Sequence, residues 1–168
     1  MINKFEKIIE NQSQMETLVI RDGTFSNEII FEAFLQCSIF GTLTFHEINF
    51  ERVDFTGSNF VNCKFKNCQF KDVIFRKCEF WKSTFENCTI EKSDLTRASF
   101  SKGAFQNCNF LKVNLRGSDF LDFELIDTIF TNSILDLIGA SQVNIWKSNQ
   151  CTDVQDSLNL GDFLEHMD

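Results

Sequence analysis

The sequence predicts an all-β solenoid, a chain wound into stacked coils around one apolar core. Three observations point there. Every residue numbered by a multiple of five from Ile20 to Ile145 is apolar, 26 in succession without a slip. Of the 21 Phe, 16 lie on that grid, and Phe occupies every grid position from Phe40 to Phe85. The chain has no Pro and no Tyr. An α-helix repeats about every 3.6 residues and a strand about every 2, so neither buries one residue in five. A strict period of five means that the chain turns a corner at each repeat. Proline would remove N–H groups that the coils need for pairing. A buried tyrosine would need a partner for its hydroxyl, which a dry core is not expected to offer.

Open ends of such a solenoid need covers, because bare edge strands template aggregation. Residues 1–17 are predicted to form an N-terminal helical cap, with Phe5, Ile8 and Ile9 on one side and Lys4, Glu6, Lys7 and Glu10 elsewhere. Residues 18–145 carry the repeat. From Ser38 to Ser118 the residue two positions before the apolar centre is nearly always small or β-branched, as at Ser58, Cys63, Val73, Ala98, Gly103 and Ser118. The residue just before the centre is often Asp or Asn, as at Asp54, Asn59, Asp94, Asn114 and Asp119. The two residues after it are mostly polar. Residues 146–168 are predicted to cover the last coil with a short helix or turn containing Leu158, Phe163 and Leu164.

Val53-Asp54-Phe55, Ser58-Asn59-Phe60, Ser93-Asp94-Leu95 and Ser118-Asp119-Phe120 resemble the repeat of the pentapeptide-repeat family. The resemblance covers residues 36–145 closely and 18–35 loosely. It implies a right-handed quadrilateral β-helix in which four pentapeptides make one coil of 20 residues, with the centre and the small residue both inward. About five to six coils follow, spaced by about 4.8 Å as paired strands are. Residues 20 apart then stack. Phe40, Phe60, Phe80, Phe100 and Phe120 are expected to form one ring ladder, and Phe45, Phe65, Phe85, Phe105 with Leu125 another.

The formal net charge is −8, unevenly spread. Residues 1–35 hold 3 basic and 6 acidic groups, residues 147–168 hold 1 and 5, and residues 61–120 hold 11 and 6. The acidity sits at the ends and the middle is positive. No segment has the basic start and apolar core of a signal peptide, and no apolar run is long enough to span a membrane. Seven Cys is an odd number, and five of them fall on the repeat pattern, so a cytosolic chain with reduced thiols is expected. The resemblance adds an expectation of bacterial origin.

Several constellations were candidates for chemistry. Cys68, Cys88 and Cys108 fall in one inward column beside Asn67, Asn87 and Asn107. A redox pair or metal site is one reading. Small apolar residues in a position that wants them is the other, and is preferred, since no His lies near and three aligned thiols in a packed core leave no room for a tetrahedral ion. His46 and His166 are the only histidines, and His46 should point outward. No nucleophile, base and orienting acid converge, and no phosphate loop is present. No enzyme activity, metal or cofactor is expected. Outward columns of alternating sign, Glu51-Lys71-Glu91 and Arg52-Asp72-Lys92, are expected to pair across coils.

Two outward surfaces could meet a partner. Arg76, Lys77, Arg97 and Arg116 make a basic stripe that would meet nucleic acid or an acidic protein, or stay solvated. Four charges without interleaved aromatics argue against nucleic acid. Val61, Trp81 and Leu121 make an exposed apolar column that is either a partner surface or the seat of a terminal segment. The function predicted is a non-catalytic protein-interaction scaffold with an unidentified protein partner. The resemblance implies two further possibilities: a homodimer through the C-terminal segment, and mimicry of duplex DNA that binds DNA gyrase. Mimicry needs acid along the rod, and the central coils are net positive.

Overall fold

A computed structural model describes residues 4–10, 17–157 and 159–164. The chain forms a right-handed four-sided β-helix of about 6 turns. Every parallel pairing has a register of 20 residues, as in Ile20↔Phe40↔Phe60↔Phe80↔Phe100↔Phe120↔Ala140. The four faces take their names from their centres. The first face carries this column. The second carries Phe25, Phe45, Phe65, Phe85, Phe105, Leu125 and Ile145. The third carries Ile30, Phe50, Phe70, Ile90, Phe110 and Phe130 as short parallel strands. The fourth is held by single-residue bridges running Phe34↔Asp54↔Ile74↔Asp94↔Asn114↔Ile134.

The period of five has a backbone cause that the side-chain pattern does not display. From Asp22 to Gln142, every residue two after a centre has a positive φ near 55°, Gly57 and Gly117 among them. Each corner is thus one left-handed residue. This conformation costs an L-residue about 1–2 kcal/mol, less for Gly, Asn and Asp. An inter-coil hydrogen bond compensates: the corner N–H donates to the carbonyl 19 residues on, as from Asn62 to Trp81 and from Lys82 to Ser101. Thr42, β-branched and at φ 54°, is an unfavourable corner. Thr42→Asn is expected to raise stability by about 0.5–1 kcal/mol, measured as the urea midpoint at unchanged slope.

The centres and the small residues two before them point inward, and nearly all are buried. Rings in the first-face ladder stack: Phe40 on Phe60, Phe60 on Phe80, Phe80 on Phe100 and Phe100 on Phe120, at 4.8–4.9 Å between centroids. The second ladder departs from expectation. Phe45, Phe65 and Phe85 stack, but Phe85 meets Phe105 edge-on at 73°. The cause is Phe123, a large ring at a position where most coils carry a small residue. Phe123 is buried and packs edge-on against Phe100, Phe105 and Phe120. Gly103, directly beneath it, leaves the space.

The core also supplies hydrogen-bond acceptors, contrary to the expectation drawn from the missing tyrosines. Small inward residues donate to the carbonyl 23 residues back: Ser58 to Leu35 at 2.7 Å, Ser83 to Phe60 at 3.0 Å and Cys78 to Phe55 at 2.9 Å. The same Ser58 hydroxyl accepts the Ser38 N–H at 2.9 Å. A hydroxyl on one carbon reaches these backbone groups; a phenol would not fit the site. Ser58→Ala strands a buried N–H and a carbonyl and is expected to cost about 1–3 kcal/mol. Ser58→Cys, which keeps the bond seen at Cys78, is expected to cost less than half as much in the same urea titration.

Both ends are closed. Helix α1, Lys4–Glu10, inserts Phe5 beneath the first coil, 4.8 Å edge-on from Phe25. Its Phe5 N–H donates to the buried carboxylate of Glu28. At the other end the expected helix or turn is mainly a strand. Gln150–Ser157 pairs antiparallel with Gly139–Lys147 and covers the edge of the last coil, burying Val154. Helix α2, Gly161–Leu164, follows Leu160, whose N–H donates to the Ile138 carbonyl, and it sets Gly161 against Leu135 and buries Leu164. Leu158 and His166 lie outside the described residues.

Candidate interaction surface

Among the described residues no group of three or more His, Cys, Asp and Glu is placed to hold a metal ion. All seven cysteines are free. Cys68, Cys88 and Cys108 are buried, and each Sγ–H donates to a carbonyl 23 residues back, so the column is a version of the serine arrangement above. The two neighbouring thiols and burial push the Cys88 thiol up. Burial raises Cys78 to about 12 and Cys63 to about 11. Cys63, Cys78 and Cys88, held in the protonated form, are poor nucleophiles. Asn67, Asn87 and Asn107 stand at left-handed corners, which explains an asparagine ladder without invoking the thiols. His46 faces outward with Glu47 at 3.8 Å and Asn67 at 3.5 Å. A cavity of about 330 Å³ lies near the C-terminal end between Ile129, Phe130, Ile145, Trp146 and Leu164, with Asp127, Thr128, Lys147 and Ser148 also in its lining.

The outward charges fall into two groups. Some are paired, but of the expected columns only Lys71 with Glu51 pairs across coils, and among the described residues Asp72 forms an ion pair with neither Arg52 nor Lys92. Arg52 binds Glu32 at 3.0 Å and Glu51 at 3.4 Å, Lys71 reaches Glu51 at 3.7 Å, and Lys66 binds Glu86 at 2.8 Å. Arg76 of the basic stripe binds Asp94 at 2.7 Å and so belongs to this group. Among the described residues Lys77, Arg97 and Arg116, the rest of the stripe, form no ion pair.

Asp94 is tightly held. Its carboxylate also accepts the Thr96 N–H, and Asp54 and Asn114 accept from Thr56 and Arg116 in the same way. Partial burial pushes its pKa up, but hydrogen bonds from Thr96 and Arg76 outweigh burial and hold it below the ordinary value. A depressed folded-state pKa contributes stability that is present above the unfolded value, about 3.9. That stability is lost as pH falls through the folded value. Asp94→Asn is therefore expected to be less stable than wild type at neutral pH, with the two urea midpoints converging in acid below the ordinary carboxylate range.

The first face carries the apolar column. Register places Val61, Trp81, Ser101 and Leu121 in line. Trp81 is 44% exposed and Leu121 46%. Val61 is half-buried. No described segment lies over Trp81: α1 enters at one end, and Gln150–Ser157 extends the sheet edge at the other. Asp156 and Ser157 come beside Leu121 without burying it. The corners flanking Trp81 carry Lys77 and Arg97 on one side and Lys82 and Lys102 on the other. Sequence reasoning missed Lys82 and Lys102, because only the coil geometry shows that residues before and after a centre border one face. The Lys82 ammonium lies over the Trp81 ring at 4.4 Å.

The family described as pentapeptide repeat region matches residues 58–138. A solved structure of trypsin-treated QnrB1, a plasmid-mediated fluoroquinolone resistance protein, is 14% identical, with a TM-score of 0.34 over 73% of this chain and 69% of that one. Rfr23, a pentapeptide repeat protein from the cyanobacterium Cyanothece, is 12% identical, with a TM-score of 0.34 over 77% and 88%. HetL, a pentapeptide repeat protein involved in heterocyst differentiation regulation in the cyanobacterium Nostoc, is 8% identical, with a TM-score of 0.23 over 90% and 100%. No curated protein matches the sequence.

Proposed function

This chain is a pentapeptide-repeat protein, and on that premise we propose that it is a non-catalytic scaffold presenting its first face to a protein partner. The observation that carries the reading is Trp81, a large aromatic left 44% exposed on a face that no described segment covers. Exposed tryptophans on rigid, flat surfaces are the residues from which interface hot spots are built. The inter-coil hydrogen bonds fix that face, so binding costs little ordering. Among the described residues the outward side chains line flat faces, an arrangement that suits a binding role better than catalysis. Seven free thiols, five of them buried, fit a reducing compartment such as the cytoplasm. No helix among the described residues is long and apolar enough to cross a membrane.

Mimicry of duplex DNA would require acid along the rod. The 11 basic against 6 acidic groups in residues 61–120 oppose it, and we do not adopt that reading. A homodimer through the C-terminal segment is compatible with a scaffold and would leave the Trp81 face free in each copy.

Affinity capture from a cell lysate tests the proposal. Wild type is compared with a Trp81→Glu, Val61→Lys variant of unchanged circular dichroism. A protein retained by wild type alone is the expected result. Equal retention by both would move the site to another face, and retention of nothing by either would overturn the scaffold reading.

A further inference from the structure

We propose that the two central coils of the first face, residues 77–82 and 97–102, dock a short acidic protein segment that carries one apolar side chain. This rests on the scaffold reading above and gives that scaffold a partner chemistry. The coils are neighbours in register, with Glu79 beside Ser99 and Trp81 beside Ser101. Lys77 and Arg97 occupy the corners at one edge, and Lys82 and Lys102 those at the other, all left-handed and all exposed. Among the described residues none of these four cations forms an ion pair, whereas Arg52, Lys66, Lys71 and Arg76 are each taken by a carboxylate. Glu79 is the one acid in the frame. A chain of net charge −8 therefore carries a local patch of opposite sign around its exposed tryptophan.

The shape of the patch sets the class of partner. Ser101 is small, so the surface steps down beside the Trp81 indole, and an apolar side chain fits that step. The coil on one side is uncharged at Asn59 and Asn62, and the coil on the other is acidic at Asp119 and Asp122. Coils lie about 4.8 Å apart, within the Debye length of about 8 Å at physiological salt. A long polyanion laid along the rod would be repelled by those aspartates, while a short acidic segment laid across it would not. Lys82 already covers one face of the Trp81 ring, which removes the surface on which a base would stack. Charge and geometry thus favour a protein segment over a nucleic-acid strand.

The test is fluorescence anisotropy with a labelled peptide of glutamates around a single leucine. Four proteins are compared: wild type, a frame variant (Lys77→Gln, Lys82→Gln, Arg97→Gln, Lys102→Gln), a charge-matched control (Lys64→Gln, Lys92→Gln, Lys112→Gln, Lys147→Gln) and Trp81→Ser. All the changes are at exposed positions, and circular dichroism checks the fold. Wild type is expected to bind with an affinity that falls as salt rises. The frame variant should lose on the order of tenfold or more, and the control no more than about twofold. Trp81→Ser should weaken binding at high salt as well as low. No binding by wild type, or equal loss in the frame variant and the control, would overturn the proposal. So would tighter binding of oligothymidylate than of the peptide, lost in the same frame variant, which would assign the patch to nucleic acid. A partner captured through Trp81 and Val61 from lysate, with no peptide binding, would sink this inference and leave the scaffold reading standing.

Discussion

Phe80→Ala is expected to cost about 3–5 kcal/mol, the range for deleting a fully buried aromatic ring. Phe80 is 2% exposed and lies mid-ladder, stacked on Phe60 at 4.8 Å and on Phe100 at 4.9 Å. Phe75 and Phe85 pack edge-on against it, each at 5.5 Å. The coil backbone is fixed by hydrogen bonds to both neighbours, so the void cannot collapse. At about 2–4 °C per kcal/mol for a chain of this size, the melting temperature should fall by on the order of 10 °C. Phe130→Ala provides the comparison. Phe130 is only partly buried and stacks on Phe110 alone among the rings, in the last coil of its face, so it should cost less than half as much. Equal costs at the two positions would contradict a core of stacked, nearest-neighbour coils.

The second large effect is expected at Gly103. Gly103 has no left-handed φ, so its requirement is space. A Cβ there would collide with the Ser83 carbonyl oxygen and stand 2.9 Å from Phe123. The carbonyl is backbone, pinned between coils, and cannot step aside. Gly103→Ala should therefore cost at or above the top of the about 1–3 kcal/mol usual for overpacking. Adding Phe123→Ala removes one of the two obstacles and should not restore stability, because the carbonyl remains. A Gly103→Ala variant within about 0.5 kcal/mol of wild type, the range of ordinary surface changes, would show that the coils slide more freely than the hydrogen bonding implies.

These positions show what the sequence carries and where it goes silent. The unbroken apolar grid dictates the solenoid and the 20-residue register, because a buried centre is visible one residue at a time. The cross-coil charge columns were legible in part: register converts a spacing of 20 into contact in the Lys71–Glu51 pair, while Arg52 pairs with Glu32 and Lys92 with its neighbour Glu91 in place of Asp72. The corner conformation was not legible. Its residues range from Asn and Gly to Lys, Arg and Leu, since an inter-coil hydrogen bond offsets the strain in place of a fixed residue type. Phe123 was hidden because it sits where small residues normally stand, and only the glycine beneath it explains the exchange. The C-terminal strand carries no grid at all, since it buries only Val154 of Gln150–Ser157. Of the interaction surface, Val61, Trp81 and Leu121 were readable as an outward column, while the cations on both edges required knowing where each coil bends.

Photo-crosslinking at the first face tests the central claim most directly. Trp81→p-benzoylphenylalanine and, on the third face, Asn109→p-benzoylphenylalanine are made in the full chain and irradiated in cells that naturally carry the protein. A discrete crosslinked protein at position 81, absent at position 109, is the result expected of a scaffold that binds through this face. Identical crosslinks at both positions, or none at position 81, would contradict it.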